Sequence, residues 1–196
     1  NKDNKDKKSR LVGNLYAELH LFDGFMFKTS FGADYNNLYR RSFSPKYDEI
    51  NASEKLSGLS NRNAWNFNWV FTNTLNYTKT FGDHTINALL GLESLRNRYE
   101  YFTASRDGFP SDDPNFHFLD AGDVGTQKNS GSATEYSMVS YFGKIDYNYH
   151  DRYLVAFTLR RDGSSRLGNN KWGNFPAASV GWRISNEPVS YTHLRA

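Results

Sequence analysis

From Ala64 to Lys79 the chain reads AWNFNWVFTNTLNYTK, and large apolar side chains alternate with polar ones along nearly all of it. Trp65, Phe67, Trp69, Phe71, Leu75 and Tyr77 share one parity. Asn66, Asn68, Thr72, Thr74, Asn76 and Thr78 share the other. A helix would spread both sets around its circumference, whereas an extended strand separates them cleanly. Such a strand has to place its two faces in two different surroundings.

The same period recurs along the chain. Leu11, Leu15, Ala17, Leu19 and Leu21 oppose Asn14, Tyr16, Glu18 and His20, and Asp23-Gly24 then reads as a tight hairpin turn. Phe25, Phe27, Phe31 and Tyr35 oppose Lys28, Ser30 and Asp34. After a turn at Phe81–His84, Ile86, Ala88, Leu90 and Leu92 oppose Asn87, Gly91 and Glu93. Beyond Leu95 the apolar parity carries Arg96, Arg98 and Glu100, which reads as the strand leaving its apolar surroundings. Val139, Tyr141, Ile145, Tyr147 and Tyr149 begin another strand, and His150-Asp151-Arg152 a turn. Tyr153, Val155, Phe157 and Leu159, then Ala178, Val180, Trp182 and Ile184, complete the series. Residues 36–62, 104–135 and 162–174 read as loops. Short turns at one end and longer loops at the other predict an all-β antiparallel meander, about seven strands of a larger, incomplete transmembrane barrel. The strands qualify for the roughly 9–11 residues that a tilted crossing requires.

Composition removes other classes. The 196 residues include 13 Tyr, 15 Phe and 4 Trp, too many aromatics for a disordered chain. No apolar run is long enough for a membrane helix. With no Cys there is no disulfide framework, thiolate metal site or thiol nucleophile. A net charge of +3, with basic residues spread out apart from the first ten positions, gives no strong footprint for nucleic acid.

Alternation alone leaves the solvent of each face open, because a soluble ligand-binding barrel turns its apolar face inward and a membrane barrel turns it to lipid. Charges on the polar parity favour a hydrated lumen: Glu18, Lys28, Glu93, Lys144, Asp146, Arg160 and Arg183 are the candidate lumen-facing residues. Tyr77, Tyr147, Tyr149 and Tyr153 gather at the short-turn end, and Trp65 and Phe67 at the other, as two aromatic girdles would.

The segment Asp151–Pro188 resembles the SusC/RagA family of TonB-linked outer-membrane receptors of Bacteroidota. The matching pieces are DRY at Asp151–Tyr153, RRDGSSRLG at Arg160–Gly168 and FPAASVGWRIS at Phe175–Ser185. Ala64–Tyr77, Ile86–Ser94 and Met138–Tyr153 are similar to the family's barrel strands. The resemblance implies an outer-membrane importer of glycans or peptides. Its large barrel encloses an N-terminal plug, pairs with a SusD-like surface lipoprotein and draws energy from TonB–ExbBD through a segment outside this chain. The resemblance covers residues 10–188, the partial barrel; from their own composition 1–9 read as a flexible polar end and 189–196, after Pro188, as a non-native tail resembling a translated adapter. The start at Asn1 fits an internal piece.

Other chemistry finds weak support. The five His form no HExxH and no close pair, so no metal is expected. Asp107, Asp112, Asp113, Asp120 and Asp123 lack calcium-loop spacing and read as a solvated loop. Glu18, Glu93 and Asp146 read as lumen charges rather than a glycosidase pair. DGSSRLG does not fit GxSxG, and Arg161-Asp162-Gly163 reads as a turn. Trp172 and Phe116 are the loop aromatics that could stack on a sugar. No catalytic residue or cofactor is expected. The alternatives are an outer-membrane barrel enzyme, which would need a Ser/His or Asp/His set at the rim, and a soluble ligand-binding β-barrel.

Overall fold

The computed structural model describes residues 3–49, 52–54 and 56–187. The suspected tail at 189–196 lies outside them. The strands are β1 (Asp3–Phe22), β2 (Phe25–Ser44), β3 (Tyr47–Glu49), β4 (Ala52–Glu54), β5 (Gly58–Phe81), β6 (His84–Asp107), β7 (Lys128–Tyr149), β8 (Tyr153–Ser164) and β9 (Trp172–Trp182). Seven of them form one sheet in the order β1-β2-β5-β6-β7-β8-β9, and β3 and β4 form a separate small ribbon. No α-helix occurs among the described residues.

The turns follow local chemistry. Gly24 and Gly82 take positive φ of 80° and 57° at the β1–β2 and β5–β6 hairpins. At the β7–β8 turn the left-handed residues are His150 and Asp151, with φ of 53° and 55°. Both belong to the few non-glycine types that tolerate this region, and both are anchored. The His150 amide donates to the Asp83 carbonyl at 2.8 Å, and Asp151 accepts from Asn148 at 3.1 Å and pairs with Arg183.

The strands run further than alternation alone implies. The polar end set at 1–9 is strand from Asp3 onward, paired in the sheet beside β2. The three expected loops shrink as β2 runs to Ser44, β5 starts at Gly58, β6 runs to Asp107, β7 starts at Lys128 and β8 ends at Ser164. In these extensions polar residues occupy both parities, so the hydrophobic period vanishes while backbone pairing continues. Arg161-Asp162-Gly163 lies in β8 and is not a turn.

The chain divides into two units. Residues up to Gly13, Ala33–Asn68 and Asn97–Glu135 make the first, and Asn14–Gly32, Trp69–Arg96 and the chain from Tyr136 make the second. The first holds a small core. Phe43, Leu59 and Phe109 are buried together, with Leu119 and Ala121 against them. The His117 ring stacks on Phe43 at 3.6 Å. Ser57 Oγ accepts from the Phe109 amide at 2.9 Å and donates to its carbonyl at 3.2 Å. The segment between β6 and β7 is thereby tied down. It contains three 3-10 turns, Pro114–Phe116, Leu119–Ala121 and Val124–Thr126, the first and third capped by Asp113 and Asp123.

In the second unit the register assigns faces directly. Ile145 pairs with Phe157, and Phe157 with Ala178; Tyr147 pairs with Val155, and Val155 with Val180. Directly opposed residues share a face, so the apolar parities of β7, β8 and β9 form one continuous surface. On β8 that surface is the exposed one. Val180 is 86% exposed and Phe157 49%, whereas Thr158 and Arg160 on the opposite face are half-buried.

Candidate functional site

The polar face carries the candidate lumen residues, and most are bound into ion pairs. Lys28 Nζ lies 2.7 Å from Glu18 and stands over the Tyr16 ring. Lys144 and Asp146, two apart on β7, pair at 2.9 Å. Arg160 is the hub. Its Nε donates to Asp162 at 2.7 Å, and its Nη2 donates to Glu93 at 3.2 Å and to Ser140 Oγ at 2.9 Å. Thr72 donates to the second Glu93 oxygen at 3.3 Å, so β5, β6, β7 and β8 are cross-linked through one guanidinium. Ser140 is almost fully buried beneath this network. The structure brings Glu93 and Arg160 together and Glu18 and Lys28 together.

Arg183 departs from expectation. It lies one residue past the end of β9 and pairs with Asp151 in the β7–β8 turn, so it is a turn anchor and not a mid-strand charge. Asn148, then Arg183 and Asn186, hold the Asp151 carboxyl below its ordinary value. Nearby, Glu187 accepts from the Tyr153 hydroxyl at 2.7 Å and from the Trp182 ring nitrogen at 3.1 Å, and these bonds lower its pKa.

Trp172 is likewise relocated. It is the first residue of β9, opposite Gly163 on the apolar face, and not a loop residue. Its ring stacks with Tyr141 at 6.0 Å under the Arg161 guanidinium at 4.9 Å. A Cβ at Gly163 would meet that ring at 2.8 Å, which explains the glycine of the RRDGSSRLG string. Ser165 and Arg166 of the same string bond the Ser137 backbone and cover the Tyr136 ring. Phe116 does lie in the loop between β6 and β7 and is 53% exposed.

The aromatic residues at the short-turn end touch one another in the second unit. Phe25 packs on Tyr77 at 4.4 Å, Tyr149 on Tyr153 at 6.4 Å, and the His84 ring nitrogen lies 2.7 Å from the Tyr147 hydroxyl. In the first unit Trp65 lies under Arg98, which pairs with Glu100 and Glu135.

The first unit also holds a polar constellation outside the expected set. Arg10 grips Asp34, and Arg40 grips Asp6, each through two hydrogen bonds. Arg62 donates to the Tyr99 hydroxyl at 3.1 Å, and Asn97 donates to Asn66 and Asn68. Asp34, Asn66 and Asn68 fell on the polar parity of expected strands, whereas Arg40 and Arg62 fell in the expected loop, Asp6 in the polar end, and Asn97 and Tyr99 in the part of β6 where alternation fades. Carrying the parity of Asn66 and Asn68 back to Arg62 would have placed that residue on the same face. Among the described residues no group of His, Asp or Glu has metal-binding geometry, and no helix is long and apolar enough to cross a membrane.

No family model matches the chain. It is 34% identical over 187 residues to TonB-dependent receptor P39 of Formosa agariphila, covering 94% of this chain and 18% of that protein. It is 27% identical over 189 residues to TonB-dependent receptor SusC of Bacteroides thetaiotaomicron, covering 95% and 18%. A solved structure of the RagAB peptide transporter superposes with a TM-score of 0.87 at 25% identity, covering 95% of this chain and 21% of that one. The chain belongs to the SusC/RagA-type TonB-dependent receptors. It corresponds to part of their barrel wall and spans about a fifth of the relatives' length. The proteins it matches are named as receptors and transporters, not enzymes.

Proposed function

We propose that this chain is a wall segment of an outer-membrane importer of glycans or peptides in a Bacteroidota species. In this reading the apolar face meets lipid and the charged face lines a hydrated passage. Glu18, Lys28, Glu93, Lys144, Asp146 and Arg160 contribute to that lining. The importer works with a SusD-like surface lipoprotein as its lid and takes energy from TonB–ExbBD through parts outside this chain.

The observation that carries the reading is the inversion of burial. On β8 the apolar parity, Tyr153, Val155, Phe157 and Leu159, is exposed, and the opposite parity from Leu154 to Asp162 is half-buried, with Arg160 and Asp162 held in an ion pair. A soluble ligand-binding barrel requires the opposite arrangement. Within the bilayer, backbone groups have no water to bond, and continuous strand pairing supplies their partners.

Spin labels at Phe157 and Val180 of the full-length receptor in lipid test this directly. Both should be quenched by oxygen and shielded from a water-soluble nickel complex. Nickel quenching, or shielding from both agents, would overturn the assignment. TonB-dependent uptake of labelled oligosaccharide or peptide by cells carrying the receptor tests the transport step.

A further inference from the structure

The first unit contains a cavity of about 600 Å³ that the ion-pair ladders leave open. Lys8, Arg10, Arg40 and Arg62 line it, and no carboxylate does. Arg10 and Arg40 are already committed, because each spends its Nε and Nη2 on one carboxylate, at 2.8–3.1 Å. Arg62 is held by uncharged partners instead. Its Nη2 donates to the Tyr99 hydroxyl, and its guanidinium lies 4.0 Å from the Tyr101 ring centroid. Neither Arg62 nor Lys8 makes a salt bridge among the described residues. The cavity thus has four cations against two carboxylates. One of its guanidiniums is fixed in orientation by aromatic rings and keeps donors for a planar or tetrahedral anion.

We propose that this cavity binds an anionic oligosaccharide, one bearing uronate carboxylates or sulfate esters. The rest of the wall suits a sugar better than a peptide. Asn36 and Asn66 offer amide donors and acceptors for hydroxyl groups, Tyr99 and Trp65 offer aromatic rings of the kind sugars stack on, and Leu38 and Ala64 are the aliphatic side chains among the lining residues. The inference rests on the importer reading and narrows its substrate to anionic sugars.

The test uses the full-length receptor, purified in detergent and titrated calorimetrically with four probes. These are an oligogalacturonate, a sulfated galactan oligosaccharide, a neutral galactan oligosaccharide and a hexaglutamate peptide. At least one anionic sugar should bind tenfold or more tightly than the neutral sugar and the peptide, and its affinity should fall as salt rises. The first two probes distinguish carboxylate from sulfate. Arg62→Gln should weaken that binding at least tenfold and leave the neutral sugar unchanged. Lys8→Gln, on β1 and away from the Tyr99 and Tyr101 rings, is a second variant that does not disturb the aromatic contacts, and it should weaken binding in the same direction. The proposal is overturned if neither anionic sugar binds, if neutral and anionic sugars bind alike, if the peptide is preferred, or if both variants bind as the parent does. A receptor that keeps its lipid-exposed Phe157 but fails these titrations loses only this inference. One whose Phe157 faces water loses the importer reading itself.

Discussion

At the scale of single residues, Arg160 and Asp151 show how charge is used on the two sides of a strand end. Arg160 satisfies Glu93, Asp162 and Ser140 at once. Arg160→Gln should therefore leave two carboxylates short of their cation and lower the unfolding free energy of the full-length receptor by about 1–3 kcal/mol. Lys28→Gln, which breaks one exposed, solvent-screened pair with Glu18, should cost much less. Urea titration of both variants in lipid checks the difference, and equal effects would remove Arg160 from its central place. Asp151 has a depressed pKa, caused first by Asn148 and then by Arg183. A depressed carboxylate stabilises the fold above its ordinary value of 3.8 and loses that contribution as pH falls through the lowered value. Hydrogen-exchange protection factors across His150–Arg152, corrected for the intrinsic pH dependence of exchange, should fall on acidification below about pH 4, the ordinary range of an Asp. Asp151→Asn keeps the tolerance for positive φ and removes the ionisation, so it should abolish that pH dependence.

At the scale of elements, adjacent positions of β8 meet opposite demands. Phe157 sits on the exposed apolar face and Thr158 on the polar one. Phe157→Arg should destabilise the inserted receptor by about 2–4 kcal/mol, and Thr158→Arg should cost far less. The yield of heat-modifiable barrel in outer-membrane fractions reads this out, and equal losses would contradict the face assignment. Packing between strands is equally specific at Gly91, where a Cβ would meet the Phe142 ring at 2.1 Å. Gly91→Ala should cost about 1–3 kcal/mol through overpacking, with Phe142→Ala restoring part of the loss in the double variant. Additive losses in that cycle would show that the ring does not occupy the space over the glycine.

At the scale of the whole chain, the described residues bury few hydrophobic side chains, Phe43, Leu59, Ala64 and Phe109, and leave many large ones exposed. The strands at the two ends of the sheet order, β1 and β9, each pair on one side only. Exposed apolar area and open strand edges both drive association, so the isolated chain should aggregate in detergent-free buffer. A monodisperse monomer in size-exclusion chromatography would contradict this. The strands whose two faces differ in polarity, β5 at Ala64–Lys79 and the β7–β8–β9 set, were legible from side-chain order alone, because a period of two can only be an extended backbone with distinct sides. So were the apolar face, the short turns and the charges now seen on Arg160 and Glu93. What the alternation did not reveal were the strand ends in which both parities are polar, such as Asp3–Arg10 and Gly58–Asn63, since hydrogen bonding between backbones leaves no mark on side-chain pattern. The turn position of Arg183, the placement of Trp172 beside Tyr141, and the convergence of Lys8, Arg40, Arg62 and Tyr99 on one cavity depend on register between strands distant in sequence. Register is fixed by pairing in space, and only the folded sheet supplies it.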